Sequence, residues 1–165
     1  MAELSDHGPA AHDAYRIQAL ALLNRQKTMV LGVSANGAPW VAPVYFVFVR
    51  PGLYFFSSPR SIHIQAARGQ SPIASAIFAE SDQMLQIHGL QMTGQVEEVQ
   101  NPLEKLRITT RYLDKFPLAQ ELMAEEVEKI PALALRVGLY VFWPAQIHCT
   151  YNRQGFGHRV QVKLW

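Results

Sequence analysis

Asn36-Gly37 stands between two runs of β-branched and aromatic residues in TMVLGVSANGAPWVAPVYFVFV, residues 28–49. No other short signal in the chain restricts the fold so strongly. Asn and Gly both accept the positive φ that a two-residue turn demands, so the runs on either side fold back as a hairpin. The second run, from Trp40 to Val49, stops at Arg50-Pro51-Gly52, a further turn signature, and a third strand follows from Leu53 to Ser57. The chain therefore opens its sheet as an antiparallel meander.

The remaining segments fit around that meander. Residues 1–11 read as a loose leader. Tyr15, Ile17, Leu20, Leu22 and Leu23, in an Ala-rich context, predict a helix from His12 to Arg25, with Asp13 favourably placed near its start. Ile73 to Phe78 reads as a fourth strand and Met84 to Val99 as a long fifth, bent or bulged at Gly89 and Gly94. Asn101-Pro102-x-Glu104 is a helix start, with Leu103, Leu106, Thr110 and Leu113 along one face. Lys115-Phe116-Pro117 breaks it, a second helix is expected from Leu118 to Glu128, and Ala134 to Cys149 returns to strand. Strands joined by tight turns with few helices make a mainly β (β plus α) small barrel. The domain is expected over residues 12–150, with 151–165 as a C-terminal tail packing on a dimer or over a cofactor.

Hydrophobic residues make up 49% of the 165-residue chain and charged residues only 17%, below the ~25% usual for soluble domains. Such a composition needs a large core or apolar surface covered by a partner, and a two-fold homodimer is the commonest cover. A net charge of +2, without a basic cluster interleaved with aromatics, argues against nucleic acid. No apolar run approaches the ~20 residues of a membrane span. The single cysteine, Cys149, excludes an intramolecular disulfide and suits a reducing compartment, and the N-terminus does not read as a signal peptide; the cytoplasm is the expected location.

The chemistry is densest in LYFFSSPRSIHIQAARGQSP, residues 53–72. Ser57, Ser58, Arg60, Ser61 and His63 fall within seven positions directly after an apolar strand. Ser58 followed by Pro59 can be a helix cap, or Ser61 can be the cap with Pro59 shaping the turn. Capping alone would account for the serines. Both arrangements also bring hydroxyls, an arginine and a histidine to a helix start, where backbone N–H groups attract a phosphate. A bound phosphate would favour the charged form of His63, whose ordinary pKa is about 6.5.

Three stretches, VSANGAPWVAPVYFVFV, LYFFSSPRSIHIQAARGQSPIASAIF and IHGLQMTGQVEEV, come in unbroken order from Thr28 to Val99. Together they resemble the pyridoxamine 5'-phosphate oxidase-like FMN-binding split barrels, and the tail resembles a small bacterial branch of mostly unassigned function. The resemblance implies a six-stranded antiparallel split β-barrel with peripheral helices. It also implies a homodimer with FMN at the subunit interface, acting on a small-molecule substrate or electron donor. Carried over residue by residue, the flavin phosphate would be held by Ser57, Ser58, Arg60, Ser61 and His63. The ring would lie against Pro43, Val44 and Tyr45, with Gln91 as a polar contact. The family often has Lys or Arg where His63 stands, so the phosphate here would meet a weaker, pH-dependent cation. The residues that read pyridoxal phosphate in the true oxidases find no match in the tail, so vitamin B6 synthesis is not expected.

The other candidates are structural by comparison. His7 and His12 match no zinc spacing, and His88 in a strand is a satisfied structural histidine. His148 and Cys149 are strand neighbours facing opposite ways, so they cannot act together. Glu97-Glu98 and Glu125-Glu126 read as solvated, and neither a nucleophile elbow nor a nucleotide loop is present. In the tail, Phe156 between Gly155 and Gly157, with His158, could cover a cofactor or touch a substrate. No residue is expected to be catalytic and no metal site is expected. Two other readings compete with an FMN-dependent oxidoreductase. One is a haem-binding or haem-degrading barrel with His158 as axial ligand; the other is a split-barrel dimer that has lost its redox cofactor.

Overall fold

The computed structural model describes residues 9–68, 72–117, 137–154 and 156–165. Helix α1 (Pro9–Arg25) starts ahead of the expected His12, and strands β1 (Thr28–Ala35) and β2 (Ala38–Tyr45) follow. Next come β3 (Val47–Val49), β4 (Gly52–Ser57), α2 (Ile62–Arg68), β5 (Ile73–Ala79) and β6 (His88–Glu98). Helix α3 (Pro102–Lys115) precedes β7 (Gly138–Tyr151) and β8 (Arg159–Gln161). The second helix expected after Pro117, Glu125-Glu126 and His7 lie outside the described residues.

All eight strands form one antiparallel sheet in the order β2-β1-β5-β6-β7-β4-β3, with β8 also paired to β7. The expected mainly β split barrel is what forms. Six of the strands are long, and the two beyond that number, β3 and β8, have three residues each. The turn at Asn36-Gly37 has φ of 53° and 79° and joins Ala35 to Ala38 in register, the geometry that the dipeptide foretells.

Two expected strands are divided by burial. The run after Trp40 breaks at Phe46, whose side chain enters the core and whose N–H donates to the carbonyl of Lys27 at 3.0 Å, closing the hairpin one pair beyond Thr28 and Tyr45. The run from Met84 begins as a 3-10 turn, Met84–Gln86, in which Met84 and Leu85 stay exposed. Gly94 is the expected bulge, where the β6–β7 register shifts and an added Cβ would lie 2.1 Å from the Trp143 carbonyl. Gly89 keeps regular register. It is there for close approach, since a Cβ would sit 3.0 Å from the Ile77 carbonyl.

The main core fills the barrel. Met29, Leu31 and Val33 of β1 alternate inward to meet Ile73 and Ile77 of β5, Leu90 and Met92 of β6, and Phe142 and Cys149 of β7. Helix α1 closes one opening with Tyr15, Ala19, Leu22 and Leu23, at the spacing of one helical face. Helix α2 inserts Ile64 and Ala67 and packs against β1, β6 and β2. Val160, Val162 and Leu164 of the C-terminal segment join this same core, and Trp165 stacks on Phe48. The segment therefore packs on its own barrel.

A second core lies under α3, where Ile108 meets Val47, Tyr54, Val99, Leu139 and Val141. Asn101 caps α3 by accepting from the N–H groups of Leu103 and Glu104 at 2.9 and 3.1 Å. The stripe begun by Leu103 and Leu106 turns outward, with exposures of 78% and 68%. The face meeting the sheet is set by Ile108, by Tyr112 and by Glu104, which accepts from the Tyr54 hydroxyl at 2.8 Å.

Candidate cofactor site

Strand β4 pairs with β7 as far as Ser57, and Ser58-Pro59 then turns the chain into α2. The carbonyl of Ser61 accepts the N–H groups of Ile64 and Gln65 at 3.1 and 3.0 Å, so Ser61 is the residue that starts the helix. Its hydroxyl does not cap those N–H groups. It donates to the Ser58 carbonyl at 2.8 Å and stands 3.2 Å from Ser57 Oγ and 3.3 Å from His63 Nε2. Ser57 Oγ in turn lies 2.8 Å from His63 Nε2. Three side chains converge on one point, and the imidazole is shared between two hydroxyls. Burial pushes His63 below its ordinary pKa, so the neutral ring is favoured in this state.

This donor set suits a phosphate ester. Two hydroxyls can each donate to a phosphate oxygen, and an imidazole can take up a proton and pair with the charge. Helix α2 has only seven residues, so the side chains would contribute more to holding such a group than a helix dipole would. Ser58 is partly engaged, its Oγ accepting from the Arg60 N–H at 3.3 Å. The Arg60 side chain is exposed and has no ion pair among the described residues, so it stands beside the cluster without being fixed to it.

The sheet also has a face directed away from the core. Val30 and Gly32 of β1, Val41 of β2, and Ala74 and Ala76 of β5 point away from the core. They floor a concavity of about 450 Å³ that Gln91, Thr93 and His148 complete. A second concavity of about 470 Å³ shares Gly32, Val41 and Ala74 and extends to Trp40 and Pro72. The depression exists because its floor residues are small. A side chain at Gly32 would project into it beside the Ala74 methyl, 3.4 Å away. Bare backbone next to a few polar groups is a surface on which a flat ring can lie.

The expected ring contacts divide. Pro43 and Tyr45 face outward, while the Val44 side chain is in the main core and offers only its backbone. The Tyr45 ring packs edge-on against Phe116 at 5.4 Å, at the end of α3. There Lys115 donates to the Gln26 carbonyl at 2.6 Å and lies 4.3 Å from the Phe46 ring centre. Burial, with Lys27 nearby, lowers its pKa to about 8. Gln91 lines the concavity.

In the tail, Phe156 is 71% exposed and His158 Nδ1 is 2.9 Å from the Tyr15 hydroxyl, which ties the segment to α1. His88 meets the Gln86 carbonyl at 3.2 Å and the Tyr151 ring, as a structural histidine should. Cys149 is fully buried, and that burial pushes its thiol up to about 11. Glu98 pairs with Arg68 at 3.1 Å, and Glu97 accepts from the Trp143 indole at 2.9 Å. No group of three or more metal-ligating side chains occurs among the described residues. Sequence reasoning missed Thr93 and His148 as lining residues. The available signal was the run of small residues at outward positions of β1 and β5, but it becomes legible only in register with β6 and β7.

Residues 16–138 match the family described as Pyridoxamine 5'-phosphate oxidase. A UPF0306 protein of Klebsiella pneumoniae is 24% identical over 140 residues, spanning 84% of this chain and 86% of its own length. Among solved structures, a heme binding protein of Mycobacterium smegmatis superposes with a TM-score of 0.66 at 16% identity, covering 95% of this chain and 59% of its own. A FAD-binding protein of Mesorhizobium loti does so with a TM-score of 0.60 at 16% identity, covering 81% and 91%. At such identities the structural likeness shows the fold.

Proposed function

This chain belongs to the pyridoxamine 5'-phosphate oxidase family, and from that premise we propose that it is an FMN-binding oxidoreductase-like protein of the cytoplasm. In this reading it works as a homodimer with flavin at the subunit interface and acts on a small-molecule substrate or electron donor. The observation that carries the reading is the convergence of Ser57, Ser61 and His63 within 3.3 Å of one another.

Ser57 and Ser61 give up their mutual hydrogen bonds and donate to the phosphate. His63 takes up a proton and pairs with it, while Ser58 and Arg60 stand at the rim. Pro43, the backbone at Val44, Tyr45 and Gln91 border the ring. Phe156 and His158 lie towards the substrate side, on the segment 151–165 that follows the flavin-binding domain of 12–150. When bound, FMN supplies the redox chemistry, and the chain supplies binding, orientation and electrostatics. No side chain is required as acid, base or nucleophile.

Titration with FMN, followed by flavin fluorescence and with riboflavin as control, tests this reading. Micromolar FMN binding, clearly tighter than riboflavin and abolished by Ser61→Ala with His63→Ala, is the expected result. Equal binding of the two flavins, or of FMN to wild type and double variant, would overturn the phosphate assignment. Binding of neither flavin would leave a dimer scaffold without this cofactor.

A further inference from the structure

Three polar side chains on the outward sheet face are unpaired by anything described in the fold. Gln91 of β6 stands directly across from His148 of β7, and Thr93 is two positions along on the same face as Gln91. No hydrogen bond or ion pair engages any of the three side chains among the described residues. They line one edge of a concavity whose floor is Gly32, Ala74 and Ala76. Its volume, about 450 Å³, is within the range of small-molecule sites. Polar groups meeting over a floor too small to fill the space suit a planar ring with polar atoms along one side.

We propose that His148 is a positioning residue of the flavin ring, acting with Gln91 across the β6–β7 ladder. This deepens the flavin reading and rests on it. The alternation of β7 supplies the physical reason. Cys149 is committed to the core, so its neighbour His148 must point to the outward face, and register places it beside Gln91. An imidazole N–H at this edge donates to a carbonyl or ring nitrogen of the flavin. It does so more strongly when the ring has gained electrons, because negative charge then builds on those atoms. His148 should therefore favour the reduced ring over the oxidised one, while the phosphate cluster holds both alike.

The test reconstitutes wild type, His148→Ala, His148→Gln and Gln91→Ala with FMN. It measures the dissociation constant, the visible spectrum, the midpoint potential and the sedimentation of each. For His148→Ala, FMN affinity should fall only a few fold and the flavin bands should shift. The reduced ring should lose about tenfold more affinity than the oxidised one, lowering the potential by about 30 mV. His148→Gln, which keeps an N–H donor, should recover most of that potential. Should His148→Ala fail to fold, His148→Leu, which fills the position without an N–H donor, replaces it in the same measurements. An unchanged spectrum and potential in the FMN-bound variant that lacks the donor at position 148 would overturn the role of His148 and leave the flavin reading intact. A change in sedimentation alone would assign this edge to the subunit contact and overturn the inference as well. If wild type binds no FMN, the flavin reading fails and the role of His148 falls with it.

Discussion

At the scale of single residues, environment separates groups that look alike in the sequence. Burial lowers the pKa of His63 and two serines share its ring, a setting that its letter in the sequence does not reveal. Its folded-state pKa is below the unfolded value of about 6.5. The unfolded chain therefore binds a proton first, and the stabilisation present above that pH is lost as pH falls towards the folded pKa. Urea unfolding of the cofactor-free protein should show its midpoint dropping between pH 7 and 5, with a smaller drop in His63→Gln. FMN affinity should run the other way and weaken as pH rises, because a bound phosphate favours the protonated ring. Comparison with His63→Gln cancels the phosphate's own titration near ~6, and a flat ratio from pH 5 to 9 would remove His63 from the site. Cys149, held at about 11 by burial, should not react with a disulfide reagent at pH 8 in the folded protein. One equivalent should appear once the chain is unfolded in urea, since this is its one cysteine.

At the scale of elements, local signals held wherever the backbone itself decides. Asn101 was legible as a cap because Asn-Pro-x-Glu needs no tertiary context, and both expected hydrogen bonds form. Asn101→Ala should cost about 1 kcal/mol, read as a lower thermal midpoint that Asn101→Asp restores. Gly94 was legible as an irregularity, and the fold explains it: an added Cβ would press on the Trp143 carbonyl. Gly94→Ala should cost about 3 kcal/mol by forcing the bulge apart, measured by urea denaturation. The side of α3 that packs was not legible. Its sequence offers a leucine stripe, but the second core takes Ile108 instead because Asn101 and the Tyr54–Glu104 hydrogen bond set the rotation of the helix.

At the scale of the whole molecule, the outward face of β1, β2 and β5 is the feature that the barrel itself does not satisfy. Val41 and Tyr45 are 68% and 59% exposed, Phe78 is 57% exposed, and no charged residue lines the concavity between these strands. A second copy covering this face would complete the proposed flavin site. Ala76→Arg should then turn the dimer into a monomer on sedimentation and abolish FMN retention together. Monomers that retain FMN, or dimers unaffected by the arginine, would each count against an interface here. With FMN at a hundred times its dissociation constant, the folded state should gain about 2.7 kcal/mol per site, seen as a raised thermal midpoint that riboflavin does not match.

The chain's own residues determined the meander, the hairpin at Asn36-Gly37, the cap at Asn101, the core alternation of β1 and the crowd of hydroxyls around His63. These follow from φ preferences, side-chain period and local hydrogen bonding, which act over a few residues. Only the tertiary structure decided that Ser61 turns its hydroxyl into the cluster and that Val44 is spent on the core. It alone also decided that the C-terminal valines fill their own barrel and that His148 stands across from Gln91. The last three depend on which strands become neighbours. A β6–β7 pairing slipped by one residue would send His148 to the core and Cys149 to the outward face, and the register is set by burial summed over the whole sheet.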